Sequence, residues 1–210
     1  MSRIIDLTVS LEDGLQGVSI ESIRTVERDG WNATTLHLYS HCGTHMDSPL
    51  HFGVSEQAID EIPLEKLMGP AWVVDLSGIE PRALLQVSHV ASVAEKVQPG
   101  DGLLLRTDWS RHLRDPSYRN ALPRVSGELA EWCVEKGIGL LGVEPPSVAD
   151  VHNMDEVTAV HKTLLGGGVI LVEGLANLDQ IQSEKVTFMA FPLKIAGGDG
   201  APVRALAIED

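Results

Sequence analysis

The 210-residue chain carries 30 acidic against 16 basic side chains, and its formal net charge of −14 would repel a polyphosphate backbone. With 43% hydrophobic residues and no run near the roughly 18 apolar residues that a spanning helix needs, the composition is that of a soluble globular protein with neither nucleic-acid nor membrane partners. The length suits one domain over residues 1–210, the first ten residues lack the apolar core of a signal peptide, and two cysteines, Cys42 and Cys133, cannot build a disulfide framework, so the expected compartment is the cytoplasm.

At the N-terminus, Ile5, Leu7 and Val9 alternate with Asp6 and Thr8, which predicts a half-buried strand. A second strand is expected over residues 33–40, where Leu36 and Leu38 alternate with Thr35, His37 and Tyr39 and where Gly43 then permits a sharp turn. Short apolar runs at 72–74, 103–105, 139–143 and 169–172 read as strands buried on both faces. Residues 111–124, with Pro116 and Pro123, read as a surface loop. A helix is expected from Ser126, through Leu129, Trp132, Cys133 and Lys136, to a stop at Gly137. Another is expected over 155–165, with Asp155 as its cap and Gly166, Gly167 and Gly168 ending it. Strands at 186–193 and 203–208 follow without intervening helices, so a mixed α/β fold suits the pattern better than a pure doubly wound sheet.

The chemistry concentrates in His41-Cys42-Gly43-Thr44-His45-Met46-Asp47-Ser48-Pro49-Leu50-His51, three histidines and a carboxylate within eleven residues. Imidazole nitrogen and carboxylate oxygen suit zinc, manganese or iron, and the lack of clustered cysteines argues against a closed structural zinc site. An extended chain would hold His41 and His45 roughly 13 Å apart, so the segment must turn, and Gly43 with Pro49 makes a looped strand end a better choice than a helix. Further on, Glu173 interrupts an apolar run, where a buried carboxylate needs a strong partner such as a metal ion, and His161 lies on the predicted helix.

These residues resemble the metal-dependent cyclase family that includes bacterial kynurenine formamidases and isatin hydrolases. Its signature, His-x-Gly-Thr-His-x-Asp-x-Pro-x-His, is similar to residues 41–51 at every fixed position, and a downstream His with Glu twelve residues later corresponds to His161 and Glu173. Weaker similarity covers residues 104–109, 142–147 and 200–204. The resemblance implies a swivelling β/β/α fold and two divalent ions, zinc or manganese. In that pattern His41, His45 and Asp47 hold the first ion, His161 holds the second, Asp47 and Glu173 join both, and His51 is a catalytic proton carrier. The chain is expected to form a homodimer or homotetramer.

The reaction so implied is hydrolysis of a formamide or lactam C–N bond in a small-molecule substrate by a metal-bound hydroxide, with an ester or lactone hydrolase, or a non-catalytic metal- or ligand-binding protein, as alternatives. The segment 11–17 departs from the aromatic and proline-rich stretch of many formamidases of the family. Trp31, Trp72 and Trp109 are then candidates for aromatic substrate contacts, His37 for a support of the site, and Glu144 has no assigned role.

Overall fold

The computed structural model describes residues 2–209. The first six strands are β1 (Arg3–Asp6), β2 (Val18–Arg24), β3 (Ala33–Leu38), β4 (His45–Asp47), β5 (Met68–Asp75) and β6 (Leu84–Leu85). The rest are β7 (Gly102–Arg106), β8 (Arg124–Val125), β9 (Leu140–Val143), β10 (Ile170–Glu173), β11 (Lys185–Pro192) and β12 (Gly200–Glu209). The α-helices are α1 (Val26–Asp29), α2 (Ser117–Asn120), α3 (Gly127–Glu135) and α4 (Met154–Gly166).

The main sheet runs β1-β12-β11-β5-β7-β9-β10-β4, and β4 also pairs with β12, so the strands from β12 round to β4 close into a barrel with β1 outside. Strands β5, β7, β9 and β10 are parallel to one another, and β4, β11, β12 and β1 join antiparallel. Strands β7, β9 and β10 are buried on both faces, as their apolar runs require, whereas the both-faces reading of 72–74 is corrected: in β5 only Val74 of that run is buried, with Trp72 and Val73 partly exposed. Leu104, Leu140, Ile170 and Val172 face a core with Phe188 and Ala205 of the antiparallel strands. Their neighbours Leu103, Leu105, Leu141 and Leu171 pack instead on Leu129 and Cys133 of α3 and Val160 and Leu164 of α4. At roughly 25 cal/mol per Å² of apolar surface buried, these two cores are the main favourable term for the fold.

The mixed α/β reading stands, with the closed barrel as its architecture. Helix α3 starts as expected, with Ser126 Oγ accepting from Leu129 N at 3.0 Å. Helix α4 is capped by Asn153, whose side chain accepts from Glu156 N, and Asp155 lies inside its first turn. The end of the strand expected over 33–40 is corrected: β3 stops at Leu38, pairs with β2 alone, and exposes Leu36 and His37, because alternation also arises on a ribbon with no sheet beneath it. The surface-loop reading of 111–124 is also corrected, since Tyr118 and Leu122 are buried against Trp109 in a third, smaller cluster.

Candidate functional site

Three chain segments bring the site together at one end of the barrel. β4 lies between β10 and β12, so His45 pairs with Glu173 and Pro202, while Asp47 pairs with Leu171 and Gly200. The turn before it needs the left-handed φ of +59° at Gly43, where a Cβ would also meet Leu11 Cδ2 at 2.6 Å. Thr44 pins that turn, its hydroxyl donating to Gly174 O at 2.6 Å and accepting from Val9 N at 2.9 Å. Helix α4 carries His161 inward beside Val160 and Leu164, and β10 ends on Glu173.

All five residues expected to hold metal converge. His41, His45 and Asp47 each offer a ligand atom within 4.8 Å of the others, and so do Asp47, His161 and Glu173. Asp47 faces His41 through Oδ1 at 2.9 Å and His161 through Oδ2 at 3.7 Å. Glu173 faces His45 through Oε2 at 3.3 Å and His161 through Oε1 at 3.4 Å. Each carboxylate therefore spans two histidines. Asp47 Oδ2 is fully buried with no hydrogen-bond partner among the described residues, which suits a cation and little else.

Electrostatics agree with that donor set. Burial disfavours charge on His41, but Asp47 and Asp199 outweigh it and push the ring up to about 9. Burial likewise opposes charge on His45 and His161, and Glu173, with Asp47, raises both. Glu173, which burial alone would raise, is held well below the usual carboxylate range by His161 and His45. The cluster thus concentrates positive charge on imidazoles facing carboxylates, and bound cations would displace those protons.

His51 lies outside those two groups and, with His41 and Asp199, makes a third whose ligand atoms lie within 4.8 Å of one another. It rides a short 3₁₀ turn, Pro49–Phe52, that stacks it on His41 at 3.9 Å between ring centroids, while Phe52 stacks on His161 at 4.4 Å. Burial lowers its pKa, assisted by His41 and His161 and opposed by Asp47 and Asp199. The sequence reading missed Asp199 and Phe52. Asp199 precedes the noted segment 200–204 and reaches His41 Nε2 at 3.0 Å from the far end of the chain, a closeness that only the β4–β12 pairing creates.

A cavity of about 920 Å³ opens over His41 and His45. Its walls include Glu12 and Leu15 of the segment 11–17, Arg111, Arg114 and Tyr118 of the segment 107–120, and Asn177. Glu144 organises one wall: its buried carboxylate accepts from Thr107 N and Oγ1, Trp109 N and Ser110 Oγ at 2.7, 3.2, 3.1 and 2.9 Å. None of the tryptophans expected to touch substrate is among the lining residues. Trp72 donates to Asp101, Trp109 donates to Tyr118 O from the interior, and Trp31 is exposed. His37 lies exposed on β3, away from a supporting role.

No helix among the described residues is long and apolar enough to cross a membrane. A kynurenine formamidase of Salinibacter ruber is 33% identical over 187 residues, which cover 87% of this chain and 82% of that protein. Isatin hydrolase A from Labrenzia aggregata superposes with a TM-score of 0.89 at 27% identity, covering 99% of this chain and 93% of the other. A Bacillus stearothermophilus protein described as a predicted metal-dependent hydrolase superposes with a TM-score of 0.79 at 25% identity, covering 100% of both chains. The Cyclase family model matches residues 5–150, most of the chain and the whole His41 to His51 motif, and the chain belongs to that family.

Proposed function

We propose that this chain is a metal-dependent amidohydrolase that cleaves the C–N bond of a formamide or a lactam in a small-molecule substrate. The observation that carries the reading is the pair of three-residue ligand groups sharing Asp47, two of whose histidines, His41 and His45, line a substrate-sized cavity. The names of the relatives, a kynurenine formamidase and an isatin hydrolase, support the amide class.

Two divalent ions, zinc or manganese, would be held by His41, His45 and Asp47 and by Asp47, His161 and Glu173. When bound, they supply Lewis acidity, which activates water near neutral pH and offsets charge on a carbonyl oxygen. Asp47 and Glu173 bring two negative charges to the buried floor and keep the histidines facing inward. His51 moves the proton. Its Nδ1 lies 3.6 Å from Asp199 and its Nε2 has no partner among the described residues, so Nε2 is the atom that takes a proton from water and passes it to the leaving nitrogen. The lowered basicity of His51 keeps it neutral near pH 7, the state that can accept that proton. Tyr118 and Leu15 supply apolar surface beside the site and limit water around the substrate.

The same reading makes residues 1–210 one domain, placed in the cytoplasm as a homodimer or homotetramer. Two buried, unpaired cysteines suit a reducing compartment, and the exposed Trp31, Leu36 and Tyr39 around the β2–β3 ribbon suit burial between copies. The test is metal content per chain by elemental analysis, paired in the same preparation with hydrolysis of N-formylkynurenine, isatin and a simple lactone. Two ions with turnover of a formamide or lactam is the expected result. Absence of metal after metal-replete purification, or turnover of the lactone alone, would overturn it.

A further inference from the structure

We infer that Asp199 is a positioning residue for the metal centre, its carboxylate accepting the Nε2–H of His41 and so fixing the tautomer that turns Nδ1 towards Asp47. The inference rests on the metal-dependent reading above and adds a residue outside the ligand set.

The argument comes from how the three ligand histidines are tethered. His45 Nδ1 donates to Gly43 O at 3.1 Å and His161 Nδ1 donates to Val157 O at 2.7 Å. A carbonyl can only accept, so in both rings Nε2 is left to face the carboxylates. His41 is turned the other way: Nδ1 faces Asp47 Oδ1 at 2.9 Å, and Nε2 points out to Asp199 Oδ2 at 3.0 Å. It is the one ring of the three whose outer nitrogen meets a charged acceptor. A carboxylate there fixes the ring and raises its basicity as a ligand.

The backbone around Asp199 is built for that position. Ser48 donates to Asp199 O from both N and Oγ, at 3.0 and 2.9 Å, which ties the segment to the residue that follows Asp47. The next residue must be small, because a Cβ on Gly200 would stand 2.6 Å from His41 Cε1. Asp199 itself is 46% exposed, so shortening it removes little packing. The same Oδ2 lies 3.6 Å from His51 Nδ1, which places one carboxylate oxygen beside both a ligand and the proton carrier.

The test is titration of metal-free full-length wild type, Asp199→Ala and Asp199→Glu with zinc against a chelating indicator that resolves the two ions. Affinity for one ion is expected to fall about 10–100-fold in Asp199→Ala, with the other ion held within a few fold. Partial recovery in Asp199→Glu would support the charged acceptor. Wild-type affinity in Asp199→Ala, or an equal loss at both ions, would overturn the inference. Wild type that binds no zinc would instead sink the metal-dependent reading, a result visible before any variant is compared.

Discussion

His45 and His51 lie six residues apart in the chain and in opposite surroundings. His45 is locked in a strand, its side chain 2% exposed, with Nδ1 bound to Gly43 O and Nε2 facing Glu173. His51 rides a 3₁₀ turn, 24% exposed, and is held by ring stacking rather than by hydrogen bonds. The contrast runs through the whole site. The floor of Asp47, His45, His161 and Glu173 is buried and fixed by strand pairing and backbone carbonyls, which suits an ion that must stay. The rim of His51, Asp199 and the loops over the cavity is partly wet, which suits a proton that must move and a substrate that must leave.

Substitution on either side of that boundary should separate the two jobs. Asp47→Ala, which removes the carboxylate common to both ligand groups, is expected to abolish metal retention and bring hydrolysis to background. His51→Ala should keep its metal and lose about 10²–10⁴-fold in kcat. Elemental analysis and initial rates on the same preparations check both. Equal metal loss in the two variants would show that floor and rim are not distinct.

The sequence made the floor legible and the rim much less so. Dense clustering in residues 41–51 marks the first candidate ligands, and a carboxylate ending an apolar run marks Glu173, because both violate the ordinary pattern of a buried strand. The both-faces burial of β7, β9 and β10 was readable for the same reason, as an unbroken apolar run. Asp199 carries no such mark: it is an acidic residue in a glycine-rich turn until β12 pairs with β4. Alternation found the strand at β3 but not its exposure, since period two reports a strand and not what lies under it, and Leu36 there points to solvent. The sequence gives Glu144 no role because its partners, Thr107, Trp109 and Ser110, lie more than thirty residues upstream.

The floor also predicts how metal and protons trade. The His41 ring is raised from 6.5 to about 9 in the folded chain, so the stability it contributes is fully present below about pH 6.5 and is lost as pH rises through about 9. That contribution is on the order of 3 kcal/mol for a ring this well buried. Metal-free protein should therefore melt at progressively lower temperature between those pH values. Metal-loaded protein should not follow it, because bound cations take the place of the protons. Parallel melting curves with and without zinc across this range would mean that the carboxylates are not held by the charge on His41.

The smallest expected effect tests whether the rim has any rigid part. Asp108 sits at φ +57°, a left-handed conformation that costs a non-glycine residue about 1–3 kcal/mol, in the wall that Glu144 pins from both sides. Burial raises the Glu144 carboxyl, and the hydrogen bonds from Thr107 and Ser110 work against that rise. Glu144→Gln keeps the shape but turns one oxygen into an NH₂ that faces donors rather than acceptors. A stability loss of about 1–3 kcal/mol is expected by denaturant titration. Because the wall carries Tyr118 and Arg111 into the cavity, KM should rise while metal content stays at the wild-type level. A variant that loses metal would place Glu144 with the floor; one with unchanged stability and KM would show that the strained turn at Asp108 holds without it.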